Sequence, residues 1–131
     1  MVKKTIEWLP NALIRLQAHY CLCLSQEEFT KAVRFVEGEN AHVGYWMKDP
    51  GAGATCNYSK DSNGEHVIYV CLRVTPEATP VQIAAMLCHE AVHIFQHQCE
   101  IMGEEKPSCE FTAWSIQFIA QCLMQQYADR L

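Results

Sequence analysis

Residues 84 to 100 read AAMLCHEAVHIFQHQCE, and within them His89, Glu90 and His93 form an H-E-x-x-H pattern. On a helix, residues four apart project from one face on successive turns, about 6 Å apart along the axis at 1.5 Å per residue. Two imidazoles so placed can share one zinc ion, and Glu90 reaches the flank of the same face. Neutral imidazole binds Zn2+ at about 2.0 to 2.1 Å, and the ion lowers the pKa of its bound water toward about 7. A carboxylate beside that water, but not on the metal, can take its proton and later deliver it to a departing amine. Glu90 is the candidate for that base, and His89 and His93 are candidate ligands.

The surrounding run IAAMLCHEAVHIF is apolar nearly all round. Several polar groups buried together on such a helix would each cost on the order of 1 to 3 kcal/mol unless partnered, and one shared metal is the economical partner. A catalytic zinc has three protein ligands and one open position. His97, eight residues beyond His89, would lie about 12 Å away on an unbroken helix. That is too far to join the site, so it is read as a helix histidine satisfied by its neighbours. The next donor is Glu110, 17 residues after His93, which leaves room for the first helix to end, turn at Gly103 and return antiparallel. On its own face Glu110 is followed by Ala113, Trp114 and Gln117, and a small residue at 113 would allow close helix approach. The series Phe111, Trp114, Phe118 reads as core.

These residues need elements to hold them. A helix is expected from about Pro10 to Tyr20, with Leu13, Ile14, Leu16, Gln17 and Tyr20 on a mostly apolar face. A second follows at SQEE, where Ser25 caps and Glu28 completes a capping box, and it stops at Gly38. AHVGYWM (41 to 47) alternates like a strand, TCNYS is another strand, and GEHVIYVCLRV (64 to 74) is rich in β-branched and aromatic residues. Asn63-Gly64 signals a hairpin, so the centre is expected to be a small antiparallel sheet. Thr79 caps and Pro80 opens the helix that carries the motif to about Met102, and a last helix runs from about Ser108 to Tyr127. The expected fold class is α+β: two N-terminal helices, a small antiparallel sheet, the motif helix and a C-terminal helix carrying the third ligand. Residues 1 to 131 read as a single domain.

Composition limits the function. Half the 131 residues are hydrophobic and 19% are charged, as in an ordinary globular domain. A formal net charge of −5 offers no overall positive field for a phosphate backbone, so no direct nucleic-acid partner is expected. No stretch approaches the roughly 18 consecutive apolar residues of a membrane span, and MVKKTIEWLPNALIRLQ lacks the apolar core of a secretory signal. A cytoplasmic chain is expected. Its eight cysteines form no C-x-x-C pair and read as reduced thiols packed as small hydrophobes.

H-E-x-x-H followed by a glutamate on the next helix resembles the gluzincin arrangement. In detail, HEAVHIFQH with CEFTAWSIQFIAQ is similar to the ImmA/IrrE family of small zinc metallopeptidases, over residues 80 to 125. The resemblance implies a minimal zincin-like domain, with Zn2+ held by His89, His93 and Glu110 and Glu90 as general base. It also implies a peptide or protein substrate, such as a cytosolic regulatory protein, held extended along an edge strand. After E-x-x-A the family commonly has asparagine, where this chain has Trp114; Gln117 or a backbone carbonyl would have to orient the ligands instead. A second class stays open: a non-catalytic zinc-binding module on the same fold that engages another protein.

Overall fold

The computed structural model describes residues 6, 8–9 and 18–131. In chain order these form β1 (Trp8–Leu9), β2 (Ala18–Cys23), α1 (Gln26–Glu37), β3 (Ala54–Lys60), β4 (His66–Leu72), α2 (Pro80–Met102) and α3 (Cys109–Ala128). The class is mixed α and β, with the sheet between α1 on one face and the α2–α3 pair on the other.

Two local expectations are met in full and a third in part. Thr79 and Gln82 form a reciprocal capping box with Pro80 in the first turn of α2, and Gly103 ends that helix in the left-handed region (φ 70°). Ser25 accepts from the Glu28 amide at 3.1 Å, although the Glu28 carboxylate reaches back to the Leu24 amide instead of to Ser25. The β3–β4 hairpin turns at Gly64 (φ 79°), with Asp61 Oδ1 accepting from the amides of Asn63 and Glu65.

The N-terminal region departs from expectation. Residues 10–17 of the first expected helix lie outside the described residues, but Ala18, His19 and Tyr20 belong to strand β2. Ala18, Tyr20 and Leu22 pack into the core shared with α2 and α3, while Cys21 and Cys23 pack into the core under α1. A strand buried on both faces is a nearly continuous apolar run, which period alone does not separate from a buried helix. Among the described residues, one helix, not two, precedes the β3–β4 hairpin.

The sheet is mixed and not antiparallel. Its order is β1-β2-β4-β3, with β2 parallel to β4 and the outer strands antiparallel to their neighbours. The chain leaves β2, passes through α1 to the far strand β3, and the β3–β4 hairpin then turns it back beside β2 in the same direction. Residues 41 to 47 form no strand, because side chains take their backbone groups: Gln26 bonds the Gly44 carbonyl and the Trp46 amide, and Asn57 bonds the Trp46 carbonyl at 2.8 Å. Trp46 and Met47 are thereby buried under α1.

Two consequences bear on function. Among the described residues β3 pairs only with β4, so its other side is a sheet edge. Alternation along β3 then points Cys56 and Tyr58 toward α2, where they meet Glu90 and His97. Five cysteines (21, 23, 56, 71 and 99) are buried in the cores. No helix among the described residues is long and apolar enough to cross a membrane.

Candidate metal centre

His89 and His93 converge on the outer face of α2. Their Nε2 atoms stand 3.1 Å apart, with the rings tilted by 72°. Two nitrogens bound at about 2.0 to 2.1 Å to one tetrahedral zinc are about 3.3 Å apart, so the pair stands within a few tenths of an ångström of bidentate spacing. Without an ion, this separation is that of one imidazole donating to the other. Both histidines are exposed. Contrary to expectation, neither is a buried group in need of a partner; Glu90, 4% exposed, is.

Glu90 turns from its two neighbours into the layer between α2 and the sheet. There the Cys56 thiol donates to its Oε2 at 2.9 Å. Burial is the largest cause raising the Cys56 pKa, and the adjacent Glu90 charge and hydrogen bond add to it, so the thiol keeps its proton. Cys56 was absent from the residues singled out by sequence. The signal was its position two residues before Tyr58 on an edge strand, but which face of that strand met the motif helix depended on tertiary packing. Tyr58, 43% exposed, is raised to about 12 by burial first and remains a phenol at neutral pH.

α2 and α3 run antiparallel. Phe95 packs on Phe111 at 5.7 Å between ring centroids, and Cys88 lines a groove with Gln117 and Gln121. Glu110, one residue before Phe111, therefore lies within about one helical turn of the level of His93. It is exposed in the first turn of α3 behind its N-cap Ser108. Among the described residues, no three His, Cys, Asp or Glu side chains are grouped closely enough to hold a metal ion. The structure thus brings His89 to His93, while Glu90 faces the sheet from the same helix and Glu110 stands on the neighbouring one.

Two smaller expectations change. Ala113 is exposed and so does not serve as the point of close helix approach. Trp114 is 59% exposed and is not core; Phe111 and Phe118 are half-buried. Along α3 the buried stripe is Ser115, Ile119, Ala120, Leu123 and Gln126, which places Trp114 beside the interface instead of within it.

Comparison with known protein families, with curated proteins and with solved structures finds no match. Any reading of function thus rests on the residues and their arrangement.

Proposed function

We propose that this chain is a zinc-dependent peptidase that hydrolyses a peptide bond, with His89 and His93 as ligands, Glu110 as third ligand and Glu90 as general base. The observation that carries the proposal is the convergence of the two exposed imidazole nitrogens to 3.1 Å, on the helix that also carries the buried Glu90 next to His89 in the chain. A zinc ion on this pair would supply Lewis acidity, bringing the pKa of water toward about 7 and polarising a carbonyl oxygen. Glu90 takes a proton from the attacking water at a carboxylate oxygen and hands it to the leaving amine. Cys56 holds that carboxylate in one orientation from the strand above. Glu110 would complete the ligand set from the first turn of α3, which requires its exposed side chain to move toward the pair.

The edge strand supports the choice of substrate. β3 crosses α2 with Cys56 at Glu90 and Tyr58 at His97, so His93 lies between the two crossings along the helix. An extended peptide adding to the outer side of β3 would gain backbone hydrogen bonds and pass over this face. A cytosolic regulatory protein with an exposed extended segment is a fitting substrate.

Glu90→Gln tests the reaction. It retains zinc and abolishes cleavage of a fluorogenic peptide library that the zinc-loaded wild type turns over; unchanged turnover removes Glu90 from the mechanism. A second reading, a non-catalytic zinc-binding module that engages another protein, is favoured by one observation, the separation of Glu110 from the histidine pair. Under it Glu90→Gln leaves partner binding untouched, whereas His89→Ala weakens it.

A further inference from the structure

A second pair of imidazoles stands where α2 crosses the β3–β4 hairpin. His97, one turn beyond His93, stacks on Tyr58 with ring centroids 4.5 Å apart. His66, the first residue of β4, meets the same His97 ring edge to face, at 5.4 Å and 69°. His97 is not the satisfied helix histidine expected from sequence: its Nε2 is buried and has no hydrogen-bond partner. Leaving such an atom unmatched costs about 1 to 3 kcal/mol, so it calls for a partner from outside the protein, a water or an ion.

The other nitrogen indicates what that is. Nδ1 of His97 faces Glu100 Oε2 from the next turn at 3.9 Å. At that distance the carboxylate makes no hydrogen bond, but its charge favours a proton on the Nδ1 side, which would leave the Nε2 lone pair free. Burial, then the nearby His66, lowers the pKa of His97, which keeps the ring neutral and able to coordinate near pH 7.

Ring spacing permits a shared ion. An imidazole centroid lies about 3.2 Å from a metal bound to one of its nitrogens, so two imidazoles on a tetrahedral ion have centroids about 5.2 Å apart. His66 and His97 stand at 5.4 Å, as close to that spacing as the 4.8 Å of His89 and His93. Tyr58 keeps its phenolic proton and forms a wall of the site, not a ligand.

We propose that His66 and His97 bind one borderline divalent transition-metal ion, Zn2+, Ni2+ or Cu2+, at a site separate from the His89–His93 pair. Imidazole donors suit these ions and not Mg2+ or Ca2+, which take oxygen ligands. Two protein ligands leave the remaining positions to water or an anion, so the site binds reversibly, and it does not depend on the chain being a peptidase.

The test uses the full chain carrying His89→Ala and His93→Ala, which removes the other pair. Zn2+ is titrated in while the imidazole carbon-bound proton resonances are followed by NMR. The expected result is one saturable micromolar event that moves the His66 and His97 signals together, with Mg2+ silent. Adding His97→Gln should weaken it at least about tenfold, near 1.4 kcal/mol. Should that variant lose its fold by circular dichroism, His66→Gln at the strand end supplies the same comparison. Absence of saturable Zn2+ binding, or binding that survives loss of either histidine in a folded variant, overturns the proposal.

Discussion

The thiol of Cys56 lies 2.9 Å from Glu90 Oε2, and each residue is only 4% exposed. Cys56→Ala removes a hydrogen bond to a carboxylate, worth about 1.5 to 3 kcal/mol. It also removes the contacts of one buried sulfur, about 1 kcal/mol by comparison with a methylene. The variant should lose about 2.5 to 4 kcal/mol in all, a drop of roughly 9 to 14 °C in Tm for a domain of this length. Packing alone would account for the smaller part, so a double-mutant cycle is needed to isolate the bond. Glu90→Met removes the acceptor at similar volume, and the Cys56–Glu90 coupling energy should be about 1.5 to 3 kcal/mol. Cys56→Ser, which keeps a donor on a shorter bond, should recover part of the loss. Urea unfolding at pH 7 with reductant and chelator present measures all of these. A coupling energy below about 0.5 kcal/mol would refute the idea that this thiol holds the carboxylate.

Three other outcomes follow from the cores and the surface. The thiols of Cys23, Cys56 and Cys71 are raised well above the ordinary value, by hydrogen bonding with Cys21, by burial, and by hydrogen bonding with Cys23 respectively. The unfolded chain releases these protons near pH 9 while the folded chain keeps them. Stability should hold below that pH and fall above it, by up to about 1.4 kcal/mol per pH unit for each thiol; a flat profile from pH 8 to 10 in reductant contradicts this. His97 has the opposite dependence: its folded pKa is lowered, chiefly by burial, so stability present above about pH 6.5 is lost as the pH falls toward the folded value. His97→Phe should make unfolding less sensitive to acid between pH 7.5 and 5.5, and an unaltered slope would dismiss this cause. Trp114→Ala should cost less than about 1 kcal/mol in urea, because the ring is 59% exposed; a loss of 3 kcal/mol or more, the range for a core aromatic, would show that it packs inward.

What could be read from sequence was local. Ser25, Gly38, Thr79, Pro80, Gly103 and Ser108 act through neighbours a few residues away, and both ends of α1 and α2 and the start of α3 fell where those residues put them, as the hairpin did at Gly64. The His89–His93 approach was legible for the same reason, since it needs only a helix. Misreadings arose where distant packing decides. Tyr20 could sit on a helical stripe or in a doubly buried strand, and only its packing with α2 and α3 selects the strand. Trp46 falls in an alternating run, yet its backbone is bonded by Gln26 and Asn57 from other elements. Cys56 and His66 become relevant only after the hairpin lies across α2, a juxtaposition that distant packing decides. The exposed setting of His89 and His93 was missed because an apolar run does not say which side of a helix faces the sheet.

The measurement that bears most directly on the central claim is zinc per chain, by elemental analysis of untagged protein purified without added metal and dialysed against metal-free buffer. Wild type is compared with His93→Ala and Glu110→Ala, each checked for folding by circular dichroism. The three-ligand centre predicts about one tightly held zinc in wild type, and its loss in both variants. Wild type that retains no zinc, even after reconstitution and dialysis, contradicts a metal centre at His89 and His93. Zinc retained in full by folded Glu110→Ala would remove Glu110 from it.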